Sequence, residues 1–172
     1  MARLFVVMGV AGCGKSTIAR GLAAATNGQY LDADGFHSPE NVAKMADGIP
    51  LTDTDRWPWL ARFATAMAAT DGLAFGACSA LRRGYRDKIA ETAGEAVAFL
   101  HLDGDQALIA GRMAARRDHF MPVTLLQSQF ATLEPLAPDE PGARIDISGG
   151  IAEIIDDILT VTGLDRCKTI SS

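Results

Sequence analysis

The stretch GVAGCGKS, Gly9 to Ser16, decides the fold of this 172-residue chain. It fits the phosphate-loop pattern G-x-x-x-x-G-K-[ST] without a mismatch, and it lies between an apolar run and a segment of helical period, as that pattern requires. The glycines let backbone N–H groups turn toward a phosphate, and the start of the following helix adds partial positive charge. We therefore expect an α/β protein that binds a nucleoside triphosphate. The alternative is a glycine-rich turn that binds nothing.

The side chains of this loop have separate expected roles. Lys15 should reach the outer phosphates, and Ser16 should ligate Mg²⁺. Cys13 occupies a variable position of the motif, where it serves as a small loop residue. The remaining expected nucleotide contacts come from the loop and the first helical turn, at Gly9, Gly12, Cys13, Gly14 and Thr17.

Short apolar runs alternate with longer segments of helical period along the whole chain. The runs predict five strands: Leu4–Val10, Tyr30–Asp34, Leu73–Ser79, Ala96–Leu102 and Arg144–Ser148. Because most of them are apolar without alternation, we expect a parallel sheet covered by helices on both faces. Helices are predicted at about Lys15–Ala25, Trp57–Thr70, Arg82–Thr92, Asp105–Arg116, Pro122–Leu133 and Ile151–Thr162. The pattern indicates a single α/β domain, a P-loop fold with a five-stranded parallel sheet.

Composition limits the environment and the partners. The net charge of −5 and the 48% hydrophobic content argue against disorder and against a broad nucleic-acid-binding face. Cys13, Cys78 and Cys167 are too scattered for a disulfide framework or a zinc site, so we expect a cytoplasmic protein. No run reaches the roughly 18 apolar residues that span a bilayer. The start of the chain resembles a lipoprotein signal, but cleavage before Cys13 would divide the phosphate loop, and we expect no membrane attachment.

Two segments exceed a minimal alternation of strands and helices. They are residues 36–56, after the second strand, and residues 116–141, after the fourth. Function in such a sheet lies in loops at the carboxyl ends of strands, so we expect substrate-binding excursions or a lid, the lid at about 116–141. The chain has no guanine-reading Asn-Lys-x-Asp and is small for a transport or helicase ATPase. Of the classes of P-loop protein considered, a small-molecule kinase is the one that remains.

Several separate blocks make this expectation more specific. They are MGVAGCGKST, LDADGFH, SPENVAKMADGIPLTDTDRWPWL, CSALRRGYRD and HFMPVTLLQSQFATLEPLAPDE, which lie in this order between Leu4 and Ile147. Together they closely resemble the gluconokinase family of small P-loop kinases. The resemblance implies ATP and Mg²⁺ as cofactors, D-gluconate as the small-molecule substrate, 6-phospho-D-gluconate as the product, and a homodimer.

A carboxylate substrate with a row of hydroxyls needs cations at one end of its site. Arg82 and Arg86 are spaced one helical turn apart, so we expect them to share a face and form a fork for a carboxylate. His37, Lys44 and Arg56 would add donors from the first excursion. The alternative for the arginine pair is an ordinary solvated helix face.

Asp32 and Asp34 lie one residue apart at the end of the second predicted strand. Residues at this spacing share one face of a strand, and we expect this strand to lie beside the first. Asp32 is predicted to hold Mg²⁺ through a water, and Asp34 to orient and deprotonate the acceptor hydroxyl. Two alternatives remain open. Asp34 could cap a helix that begins near Ser38 or Pro39, or both carboxylates could form a metal site with His37.

The resemblance also implies roles for two arginines near the predicted lid. Arg112 should lie over adenine and Arg116 near the phosphates; an exposed basic helix end is the alternative. The sequence departs from the family in having Arg82 in place of Lys, Asp118 in place of Gly, and Ala90 in place of a basic residue. These departures concern affinity and lid kinetics and leave the reaction class unchanged. Competing functions are a kinase for shikimate or another aldonate, and a nucleotide-binding regulator without turnover.

Overall fold

The fold centres on a parallel five-stranded sheet, as the sequence predicted. The structure, a computed structural model, describes residues 1–115 and 123–167. Its strands are β1 Leu4–Met8, β2 Gln29–Asp32, β3 Ala74–Ala77, β4 Val97–Asp103 and β5 Gly142–Asp146. Its helices are α1 Lys15–Thr26, α2 Pro39–Ala46, α3 Asp53–Ala68, α4 Arg83–Ala93, α5 Gln106–Ala114, α6 Val123–Thr132 and α7 Ile151–Thr162.

The order of the strands differs from the expected one. The sheet runs β2-β3-β1-β4-β5, so β3 lies between β2 and β1, and the prediction that the second strand borders the first is wrong. β1 and β3 are buried along their whole length, whereas β2 is only partly covered. The more polar second strand therefore takes the edge of the sheet, and the apolar third strand takes an inner position.

Two apolar clusters cover the two faces of the sheet. Phe5 and Val7 of β1 point into the cluster beneath α1 and α7, while Leu4 and Val6 point into the cluster beneath α3 and α4. Gly76 in β3 lets α3 approach closely, because a Cβ atom there would lie 2.4 Å from Cζ of a phenylalanine ring of that helix. Both faces are thus closed by helices, and the carboxyl edge of the sheet remains for the site.

The first excursion is more helical than the sequence predicted. Pro39–Ala46 forms α2, with the Ser38 hydroxyl accepting a hydrogen bond from Asn41 N–H. α3 begins at Asp53, one turn before the predicted Trp57, because Thr52 and Asp55 form a capping box. The N-cap of α3 is therefore Thr52.

Candidate active site

The phosphate loop connects β1 to α1 in a tightly wound turn. Gly12 and Gly14 have φ angles of 78° and 98°, which L side chains rarely adopt. A Cβ atom on Gly9 would lie 2.8 Å from Cys13 Sγ and 2.9 Å from Leu102 O. The side chain of Cys13 is buried, so it packs against the protein interior while its backbone forms part of the loop.

Beside this loop lies a cavity of about 280 Å³. Its walls come from the loop, the first turn of α1, the end of α5 and the start of α7, at Gly12, Cys13, Gly14, Thr17, Ile18, Arg112, Ala115, Gly149, Gly150, Ile151 and Ile154. Arg112 is fixed there by donating from Nη2 to Gly149 O at 3.2 Å. A cavity whose lining is mostly apolar and includes one planar guanidinium group suits a heterocyclic base. Arg116, predicted near the phosphates, lies outside the described residues, as do Asp118 and the first part of the predicted lid.

Asp32 faces the start of α1 even though β2 is not adjacent to β1. Ser16 Oγ lies 3.4 Å from Asp32 Oδ2, which also accepts a hydrogen bond from Tyr30 Oη at 2.9 Å. Hydroxyl and carboxylate oxygens are the ligands that Mg²⁺ prefers, so Ser16 and Asp32 fit a magnesium site. Within residues 1–115 and 123–167, no group of three His, Cys, Asp or Glu side chains is arranged to hold a metal ion. This argues against the alternative of a metal held by His37 with both aspartates.

Asp34 occupies a different backbone environment from the predicted one. β2 ends at Asp32, and residues Ala33–Phe36 form a short 3-10 turn whose N-cap is Asp32, with Asp34 N–H donating to Asp32 Oδ1 at 3.0 Å. Asp32 and Asp34 therefore do not share the face of one strand. Trp59 of α3 holds the turn by donating from Nε1 to Ala33 O at 2.6 Å.

The proposed capping role of Asp34 is wrong. Ser38 caps α2, and the Asp34 side chain is exposed and accepts no hydrogen bond from the described part of the chain. An exposed carboxylate held on a fixed turn near the phosphate loop is available to a ligand.

Two arginines and one tyrosine form a surface between α3 and α4, which we call the guanidinium wall. Arg56 and Arg82 both lie over the ring of Tyr85, with Cζ 5.5 and 5.9 Å from its centroid. Tyr85 Oη donates to Asp53 Oδ1 at 2.6 Å, and this hydrogen bond is the main cause that lowers the pKa of Asp53. Arg56 and Arg82 approach the same carboxylate at 3.4 and 3.7 Å. The wall therefore already binds one carboxylate and presents two guanidinium groups to solvent.

Arg86 does not belong to this wall, which corrects the prediction that it binds substrate. Its side chain is 0% exposed, and Nε and Nη2 donate to both carboxylate oxygens of Glu140 at 2.5 and 2.8 Å. Nη1 donates to backbone carbonyls, at Ala80, Leu81 and Glu134. Arg82, in contrast, is the N-cap of α4 in an extended conformation, so the two arginines do not share a helix face.

His37 and Lys44 both have protein partners. His37 stacks on Trp59 with ring centroids 4.1 Å apart, and burial lowers its pKa. Lys44 Nζ donates to both oxygens of Asp55 at 2.8 and 2.9 Å, which is the largest cause of an Asp55 pKa of about 2. The first contact links the end of the turn that carries Asp34 to α3, and the second links α2 to α3.

Sequence reasoning missed three residues that the structure brings to this region. They are Tyr85, Gln129 and Glu140. Tyr85 lies one turn after Arg82, and a search for aromatic partners at that spacing would have found it. Gln129 and Glu140 are polar residues in the later part of the predicted lid, and no local pattern connects them with their distant partners.

Comparison with known proteins gives the family. The thermosensitive gluconokinase of Escherichia coli (strain K12) is 43% identical over 156 residues, which cover 88% of this chain and 83% of that protein. The chain belongs to the gluconokinase family. A solved gluconokinase from Sinorhizobium meliloti 1021 has a TM-score of 0.83 at 43% identity, over 91% of this chain and 89% of that one. A solved sugar kinase from Janibacter sp. HTCC2649 has a TM-score of 0.86 at 50% identity, over 95% and 96%.

Two further findings complete the comparison. No model of a protein family matches the chain. Among the described helices, none combines the length and the apolar character that crossing a membrane requires. The P-loop kinase fold expected from the sequence is confirmed by the parallel sheet and by the solved relatives of this gluconokinase-family chain.

Proposed function

We propose that the protein transfers the γ-phosphoryl group of ATP to D-gluconate and forms 6-phospho-D-gluconate and ADP. The observation that carries this proposal is the placement of a guanidinium wall, Arg56 and Arg82, on the same functional edge as the phosphate loop. A carboxylate bound at the wall and a phosphoryl group bound at the loop define the two ends of a sugar-acid kinase site. The gluconokinase relatives support the choice of acid.

Different residues of this chain would have different roles in phosphoryl transfer. Lys15 Nζ donates to Val10 O at 3.0 Å, and we expect it to exchange this carbonyl for the outer phosphates when ATP binds. Asp34 would orient the acceptor hydroxyl and accept its proton as the new O–P bond forms. Ser16 and Asp32 would hold Mg²⁺, which supplies charge neutralisation at the phosphates. Arg112 would contact adenine, and Arg116 would lie near the phosphates.

The acceptor is tested with purified protein and a panel of sugar acids. ADP release should be fastest with D-gluconate and Mg²⁺, and slow with shikimate or with other aldonates. Turnover of shikimate above that of gluconate would favour the competing kinase. Absence of turnover with every acid, despite ATP binding, would favour a regulator.

We further propose, on the strength of the family resemblance, that the protein is a cytoplasmic homodimer. Light scattering on the purified protein would test the dimer.

The guanidinium wall leads to a separate prediction about how tightly the acid substrate binds. Arg82→Ala should raise the KM for gluconate by about 10- to 100-fold, because a hydrogen bond to a charged group contributes about 1.5 to 3 kcal/mol. The KM for ATP should stay nearly constant. Arg83→Ala is the matched control, since Arg83 is the next residue, but its guanidinium pairs with Asp139 instead. An equal rise in both KM values for Arg82→Ala would show that this side chain does not bind the acceptor specifically.

A further inference from the structure

Helix α6, in the later part of the predicted lid, makes a direct hydrogen bond to the phosphate loop. Ala11 N–H donates to Gln129 Oε1 at 2.6 Å, across 118 residues of sequence. Gln129 lies on α6 and is partly buried. Since an N–H group requires an acceptor, the oxygen of the carboxamide must face the loop.

This contact and the contact of Lys15 involve one peptide group. Lys15 Nζ binds the carbonyl of Val10, and Gln129 binds the N–H of Ala11, which belongs to the same peptide unit. Because the lysine of this motif serves the outer phosphates, the Val10–Ala11 peptide lies at the outer end of the loop. Two opposite side chains therefore fix the orientation of that peptide.

The two contacts differ in what happens when nucleotide binds. Lys15 is expected to leave the Val10 carbonyl for the phosphates, whereas the contact from Gln129 is made to the N–H side of the peptide and does not depend on that lysine. Without a second contact, the Val10–Ala11 peptide could turn its carbonyl oxygen toward an anionic phosphoryl group.

We propose that Gln129 is a positioning residue that holds the outer end of the phosphate loop, and so favours a nucleoside triphosphate over a diphosphate. The proposal rests on the proposed function only for the use of a nucleoside triphosphate, and it is independent of the acceptor. The inner phosphates are bound by N–H groups at the start of α1, which Gln129 does not touch. Its effect is therefore confined to the terminal phosphoryl group.

Two substitutions separate this role from a structural one. Gln129→Leu removes the acceptor with little change of size, and it should lower affinity for the triphosphate analogue AMPPNP by about 3- to 10-fold. Gln129→Glu keeps an acceptor but places a negative charge near the terminal phosphoryl, so it should also lower AMPPNP affinity. ADP affinity should change less than twofold in both. α6 should stay in place, because Leu126 anchors it with 1% exposure.

The measurement is calorimetric binding of AMPPNP and of ADP without gluconate, together with the melting temperature. Gln127→Leu is the matched control, because Gln127 is exposed on the same helix. Equal losses for AMPPNP and ADP, or a lower melting temperature with an unchanged ratio of the two affinities, would overturn the proposal. An unchanged ratio in Gln129→Glu would overturn it as well. A missing activity toward gluconate would contradict the proposed function and leave these binding results unaffected.

Discussion

Replacing Asp34 by asparagine should lower kcat with gluconate by about 10²- to 10⁴-fold, the range expected when a proton acceptor is lost. The change keeps the size of the side chain and removes only its charge and basicity. Since Asp34 is exposed and Ser38 caps the neighbouring helix, the melting temperature should not change. The KM for ATP should also stay nearly constant. Steady-state kinetics with a thermal melt measures all three quantities.

Two further variants sharpen the interpretation of Asp34→Asn. Asp71→Asn is the control, because Asp71 is also exposed but precedes β3 at the opposite edge of the sheet. Asp32→Asn should instead raise the Mg²⁺ concentration required for activity, since its carboxylate faces Ser16. A loss near the lower end of the range would indicate that Asp34 mainly orients the hydroxyl, because a loose transition state needs little early proton removal. A normal kcat with a lower melting temperature would show that Asp34 is structural.

Replacing Arg86 by alanine should lower the free energy of unfolding by about 3 to 5 kcal/mol, the usual effect of removing one partner of a buried ion pair. The variant leaves the Glu140 carboxylate, only 5% exposed, without its counter-ion. It also leaves the carbonyls of Ala80 and Glu134 without the donor they share. Urea unfolding at neutral pH measures the loss.

Arg83, three positions earlier on α4, provides the control for Arg86→Ala. Arg83 pairs with Asp139 at the surface, where solvent screens the two charges, so Arg83→Ala should lower the free energy of unfolding far less than Arg86→Ala. Replacing both members of the buried pair, by Arg86→Met with Glu140→Leu, should cost less than Arg86→Ala alone, because no charge is left buried. Normal stability of Arg86→Ala, combined with a raised KM for gluconate, would restore the substrate-binding role that the sequence predicted.

The buried pair also has a defined pH dependence. Hydrogen bonding from Arg86 is the main cause that holds the pKa of Glu140 below its ordinary value. The folded state therefore binds fewer protons than the unfolded state, and the pair stabilises the protein above the ordinary pKa of a glutamate. That contribution is lost as the pH falls through the lowered pKa, so the difference between wild type and Arg86→Ala should shrink in acid.

The sequence alone determined the local features of this protein. The phosphate loop depends on glycines, a lysine and a serine that are consecutive in the chain, and the positive φ angles of Gly12 and Gly14 follow from it. The five strands and most helices follow from periodicity over a few residues. The family followed from several such blocks in order. The start of α3 is also encoded locally, in the capping box of Thr52 and Asp55, although the predicted helix began only at Trp57.

The tertiary structure alone decided which side chains meet. Arg82 and Arg86 look equivalent in the sequence, yet one is 48% exposed and the other is 0% exposed. The difference arises because the segment after α6 folds back onto α4 and brings Glu140 to Arg86, a contact between residues 54 positions apart. Strand order and the bond from Ala11 to Gln129 have the same origin. Periodicity and capping act over one or two turns, whereas these contacts depend on how the whole chain closes around its core.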